Sequence, residues 1–217
     1  MSKSNDPSGA MSVSRRSFIK TAGMSAVGAT MAGAAEGLAA GRAGGAAAGP
    51  EVIGPEPVDV MLNVNGKVLA AKLDPATTLL EALRINHNLT GAKEVCDRGA
   101  CGACSVIVDG KLVTSCMMLA LDAVGSKITT VEGLSNGDQL DPVQQAFVKH
   151  DAMQCGFCTP GLVMACRQLL NETPKPTLDQ IKSGCAGNIC RCGTYTNIFN
   201  ACLEASGQPV IHDSAKA

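Results

Sequence analysis

Four cysteine positions set the strongest limit on what this chain can become. Residues 96–104 read Cys96-Asp97-Arg98-Gly99-Ala100-Cys101-Gly102-Ala103-Cys104, and Cys116 follows after an 11-residue gap. The spacing is C-x4-C-x2-C with a distant fourth cysteine, the plant-type pattern for a [2Fe–2S] cluster. Each iron takes two thiolates, so one tight loop supplies three sulfurs and a following strand brings the fourth. The small residues Gly99, Ala100, Gly102 and Ala103 let backbone N–H groups approach the sulfurs and tune their charge. A zinc site and a disulfide knot are the competing readings, and spacing in a small-residue loop favours iron–sulfur over both.

A second set of cysteines lies downstream. Gln154-Cys155-Gly156-Phe157-Cys158-Thr159-Pro160-Gly161 supplies a C-x2-C, and Gly187-Asn188-Ile189-Cys190-Arg191-Cys192-Gly193 supplies a C-x-C. Each pair stands just before a predicted helix. Free N–H groups and the helix dipole stabilise anionic thiolates there. Spacing alone leaves a zinc ribbon open for this quartet. The chain holds 11 cysteines, an odd number that argues against a pure disulfide framework. The remaining three, Cys166, Cys185 and Cys202, read as small buried hydrophobes. His87, His150 and His212 show no ligand spacing and read as surface histidines. Arg98 and Arg191 lie inside the ligand loops, where they offset cluster charge, contact a partner or simply face solvent.

The flanking pattern predicts an α+β chain. Residues 58–64 alternate as a strand, Asn65-Gly66 is a hairpin turn signal, and 67–73 form the return strand. A short helix over 78–86 turns Leu79, Leu80, Leu83 and Ile85 inward. Strands over 105–108 and 112–116 flank a second turn at Asp109-Gly110, and 128–131 form a last strand. Strand, strand, helix, cluster loop, hairpin, strand is a β-grasp order, expected over 57–133. Residues 138–207 read as a helical second domain. Asp141-Pro142, Thr159-Pro160 and Thr177 mark helix starts, and a last helix covers 195–205. Four short helices with short connections make a small bundle. Residues 208–217 read as a tail.

Residues 1–49 read as a targeting segment and linker. Ser14-Arg15-Arg16-Ser17-Phe18-Ile19-Lys20 resembles a twin-arginine export signal, and a weakly apolar Ala/Gly-rich run follows it. That run is too short to anchor the chain in a membrane. Hydrophobic residues make up 46% of the chain and aromatic residues only 2%, so the core is aliphatic with methionine as filler. A net charge of −1 gives no basic face and excludes nucleic acid as an expected partner. There is no Ser/His/Asp or paired-carboxylate constellation and no glycine-rich nucleotide loop, so no catalytic residue is assigned.

These motifs together resemble the iron–sulfur subunit of the molybdenum hydroxylases, the xanthine oxidase family. The resemblance rests on residues 96–104, Ser115-Cys116, residues 154–161 and residues 187–192, and it covers about 57–206. It implies a plant-type ferredoxin-like domain followed by a four-helix domain. It implies one [2Fe–2S] cluster on Cys96, Cys101, Cys104 and Cys116 and another on Cys155, Cys158, Cys190 and Cys192. The partners it implies are a molybdopterin-binding large subunit and an FAD-binding subunit, in a heterotrimer that hydroxylates its substrate with water. Gln154 and Cys192 are the positions expected at the pterin. The export signal and Cys190-Arg191-Cys192-Gly193-Thr194-Tyr195 look most like the periplasmic aldehyde oxidoreductases. The long N-terminal extension departs from the cytoplasmic members. A free-standing two-cluster carrier, and a subunit of a related hydroxylase acting on an N-heterocycle, are the alternatives.

Overall fold

The computed structural model describes residues 54–211, which lie within one compact unit, Glu51–Ala217. The export motif, the linker to residue 53 and His212 lie outside the described residues.

The first half is a five-stranded mixed sheet. Its strands are β1 (Val58–Val64), β2 (Lys67–Leu73), β3 (Ser105–Val108), β4 (Lys111–Thr114) and β5 (Lys127–Thr129), in the order β2-β1-β5-β3-β4. β1 and β5 run parallel, and the other neighbours are antiparallel. Both hairpins turn as their sequences require. Asn65 and Gly66 have φ of 53° and 76°, and Asp109 and Gly110 have 47° and 75°, the paired positive values of a turn whose twist matches the strands. Alternation on β1 sends Val60, Leu62 and Val64 into the core and leaves Met61 exposed.

Helix α1 (Leu79–Glu81) continues into a π-helical turn, Ala82–Asn86. Thr78 and Glu81 form a reciprocal capping box at its start. Leu79, Leu80 and Leu83 fill the space beneath the sheet, but Ile85 is exposed. Six residues beyond Leu79 it has rotated roughly 240° around the helix, so it leaves the inward face that the sequence assigned to it.

The second half holds helices α2 (Pro142–Lys149), α3 (Thr159–Glu172), α4 (Leu178–Cys185) and α5 (Tyr195–Ala205). Asp141 with Gln144 and Thr177 with Gln180 close capping boxes at α2 and α4. At α3 the expected cap does not form. Cys158 precedes the helix, and the Thr159 hydroxyl is buried without a partner. Val143, Phe147, Leu162, Val163, Ile181 and Ile198 make an aliphatic core with few aromatic rings. α3 also lies against β3 and β4, which joins the two halves. No helix among the described residues is long and apolar enough to cross a membrane.

Candidate functional site

The first cysteine loop runs between the π-helical turn and β3. The Ser105↔Thr114 pairing of β3 and β4 sets Cys104 opposite Ser115, and the Ser115 hydroxyl donates to the Cys104 carbonyl at 2.7 Å. Cys116 therefore arrives beside Cys104. It sits in a 3-10 turn, Ser115–Met117, and not on the strand itself as the sequence suggested. The turn lets its sulfur point back to the loop, where the Gly99 N–H donates to it at 3.3 Å.

The four thiols associate in twos. Cys96 receives the backbone N–H groups of Arg98, Ala100 and Cys101 and pairs with the Cys101 thiol, which brings it down to about 7. Cys116 is pushed up to about 11, first by burial and then by its neighbour Cys104. The same division appears in the second quartet. Cys155 is lowered by the Phe157 N–H and the Cys192 thiol. Cys158 is pushed up to about 12 by burial and by Cys190. Burial raises Cys190, but the Thr194 hydroxyl and N–H, Cys158 and the Gly193 N–H outweigh it and bring it to about 7.

The strongest mutual influence among the thiols is thus of Cys101 on Cys96, Cys104 on Cys116, Cys192 on Cys155 and Cys190 on Cys158. Two thiol pairs with backbone N–H donors fit a binuclear cluster, in which each iron takes two sulfurs.

The two loops meet. The Ile189 N–H donates to the Cys101 carbonyl at 2.9 Å. The buried Asn188 amide donates to the Gly102 carbonyl at 2.8 Å and lies 3.3 Å from the Ser105 hydroxyl. Two glycines make this approach possible. A Cβ on Gly102, whose φ is +69°, would come within 2.5 Å of Asn188 Nδ2 and the Gly187 carbonyl; one on Gly161 would come within 2.2 Å of the Gly102 carbonyl. Tyr195 adds a clamp: its hydroxyl accepts from the Cys190 N–H at 2.8 Å, and the Thr194 hydroxyl lies 3.3 Å from Cys190 Sγ. Asn188 and Gly161 stood inside the motifs, yet their roles are contacts across the fold that no spacing announces, whereas Tyr195 bonds only five residues back.

Of the remaining candidates, Gln154, Cys155 and Cys192 are exposed, as are Arg98 and Arg191. His150 is not a free surface group, since it pairs with Glu204. Nor is His87, whose Nε2 is buried without a partner and which is pushed down by burial.

A family model described as a 2Fe-2S iron-sulfur cluster binding domain matches residues 62–128, and another described as a [2Fe-2S] binding domain matches 130–203. The aldehyde oxidoreductase iron-sulfur-binding subunit of Escherichia coli is 43% identical over 169 residues, covering 71% of this chain and 74% of that one. The chain belongs to the iron–sulfur subunits of the molybdenum hydroxylases. The nicotine 6-hydroxylase small subunit of Paenarthrobacter nicotinovorans is 44% identical over 151 residues, covering 70% and 91%. The crystal structure of quinoline 2-oxidoreductase from Pseudomonas putida 86 superposes with a TM-score of 0.67 at 39% identity, over 70% of this chain and 93% of that one. As a member of this family the subunit carries two [2Fe–2S] clusters, one in each matched domain, and is a non-catalytic part of an oxidoreductase.

Proposed function

We propose that this subunit relays electrons from a molybdopterin-binding large subunit to an FAD-binding subunit, in a heterotrimeric hydroxylase that converts aldehydes to carboxylic acids. The observation that carries this reading is the bond from the Ile189 N–H to the Cys101 carbonyl. One end belongs to a residue of the first quartet, and the other precedes Cys190 of the second. In our assignment Cys96, Cys101, Cys104 and Cys116 hold one cluster on a β-grasp ferredoxin domain. Cys155, Cys158, Cys190 and Cys192 hold the other on a four-helix domain. When bound, the clusters supply one-electron carriers, and the hard chemistry belongs to the partner's cofactor. The chain's own residues orient the two quartets, charge-balance the sulfurs with N–H groups and bridge the gap between them.

Gln154 and Cys192 are exposed at the second quartet, and we place the pterin there. An amide offers donors and an acceptor to a mixed hydrogen-bonding edge, and a thiolate accepts a bond through few atoms. The aldehyde substrate is supported by the similarity to aldehyde oxidoreductase subunits. An N-heterocyclic substrate is the second reading, favoured by relatives named for nicotine, nicotinate and quinoline at comparable identity. Export through the twin-arginine route to the periplasm, on residues 14–20, is part of the proposal.

The test is stopped-flow bleaching of the visible absorption in the purified complex, with an aldehyde and an N-heterocycle as alternative reductants. Gln154→Ala is expected to keep full iron content and slow aldehyde-driven bleaching, by an amount worth about 1–3 kcal/mol for a buried hydrogen bond. An unchanged rate moves the pterin contact elsewhere. Bleaching by the heterocycle alone changes the substrate class, and a chain that purifies without a molybdenum partner is a free-standing carrier.

A further inference from the structure

The three cysteines outside the quartets converge in the helical core. Cys166 on α3, Cys185 at the end of α4 and Cys202 on α5 are all buried. Cys166 Sγ lies 3.7 Å from Cys185 Sγ, and the Cys166 thiol also reaches Cys202. Two sulfurs in van der Waals contact need approach each other only to about 2.05 Å to bond. Their position in the chain gives such a bond a consequence. α3 begins directly after Cys158, and α4 ends five residues before Cys190. The Cys185 carbonyl accepts from the Asn188 N–H at 2.9 Å, so Cys185 anchors the loop that carries Cys190.

We propose that Cys166 and Cys185 form an oxidisable thiol pair, which closes to a disulfide with hydrogen peroxide as oxidant and staples together the two segments that build the second quartet. The two thiols share a contact in which either sulfur can donate; it lowers the Cys185 thiol and raises Cys166. We take Cys185, whose carbonyl already anchors the second loop, as the attacking sulfur. Its sulfur attacks one peroxide oxygen, the O–O bond breaks, and the second oxygen leaves as water with the thiol proton, giving a sulfenic acid. The Cys166 sulfur then attacks the Cys185 sulfur. The S–O bond breaks, and the hydroxyl leaves as water with the Cys166 proton. Two thiols and one peroxide become one disulfide and two waters, with two electrons passed from sulfur to oxygen. A peroxide molecule is small enough to reach the pair through local opening of the helices. The proposal is independent of the relay reading, since it concerns cysteines outside both quartets.

The experiment treats the full chain, with its clusters in place, with a small excess of hydrogen peroxide. Acid quenching, thiol blocking, digestion and mass spectrometry then map the cysteines. The expected result is a joined peptide pair linking Cys166 and Cys185, lighter by two hydrogens and reversed by dithiothreitol, while visible absorption persists. The joined pair should vanish in Cys185→Ala and persist in Cys202→Ala. The bridged chain should also lose its second cluster to a chelator several-fold more slowly than the reduced chain. Recovery of Cys166 and Cys185 as blocked free thiols at peroxide levels that bleach the clusters overturns the proposal. So does a bond from Cys166 to Cys202 in place of Cys185. If Cys185→Ala does not fold, the map of the unsubstituted chain decides by itself.

Discussion

Cys190, which we propose as a ligand of the second cluster, shows how single residues would set its electronics. The Thr194 hydroxyl, 3.3 Å from its sulfur, joins the backbone N–H groups of Thr194 and Gly193 and the Cys158 thiol around it. The backbone donors are present whatever the side chains, but the hydroxyl is not. A donor to a ligand sulfur favours the reduced, more negative form of a cluster, so losing it should make reduction harder. Thr194→Val is expected to keep both clusters and to lower the reduction potential of the second one only. A difference of about 1 kcal/mol between oxidation states corresponds to roughly 40 mV for one electron. A redox titration followed by electron paramagnetic resonance checks it, with the first cluster as internal reference. No shift at the second cluster would leave the hydroxyl a purely local contact.

Among the elements, the start of α3 makes a close backbone-to-backbone join. Gly161 lies where any Cβ would meet the Gly102 carbonyl at 2.2 Å, and backbone cannot swing aside as a side chain can. Gly161→Ala is expected to destabilise the fold by about 1–3 kcal/mol, the cost of overpacking, and to loosen both cysteine loops together. Denaturant unfolding measures the first effect and iron content the second. α2 and α5 are held differently. Glu204 on α5 reaches Lys149 and His150 at the end of α2, and these two hydrogen bonds hold its carboxyl below the usual range. A carboxyl whose folded value is lowered contributes stability above its unfolded value and loses it as the pH falls through the folded one. Glu204→Gln is therefore expected to lower the melting temperature slightly at neutral pH and not at all at a pH below the carboxylate range. The pair is solvent-screened, so the effect is small. Equal losses at both pH values would show that packing, and not charge, carries the contact.

At the scale of the whole molecule, two halves of different architecture meet where α3 packs on β3 and β4 and where the two cysteine loops bond to each other, and each half presents its own cysteine quartet. A shared join of this kind keeps the quartets in fixed relation, which an electron relay requires. A folded, cluster-bearing chain is also what the proposed export route would have to carry. Thiolates left bare in an oxidising compartment form disulfides, so clusters must be built before transport. Replacing Arg15 and Arg16 with Lys is expected to hold the chain in the cytoplasm with its iron intact, as cell fractionation and iron analysis would report. Arrival of the doubly substituted chain in the periplasm would assign the address to a partner or to another segment.

Local chemistry was legible in the chain by itself. Asn65-Gly66 and Asp109-Gly110 make their turns, and Asp141 and Thr177 make their caps, because each depends on atoms only a few residues apart. The spacing within each cysteine motif is readable for the same reason. Where a reading relied on the tidy continuation of an element, it erred. Ile85 rotated out of the core, Cys116 left the strand for a turn, and Thr159 failed to cap. What only the tertiary structure decided is which thiol pairs with which, that Ile189 binds Cys101 and Asn188 binds Gly102, and that Cys166, Cys185 and Cys202 meet. The Asn188–Gly102 bond joins residues 86 apart. Contacts at such separations exist only after the sheet and helices have packed, because burial and backbone approach, and not neighbouring residue types, bring those atoms within bonding distance.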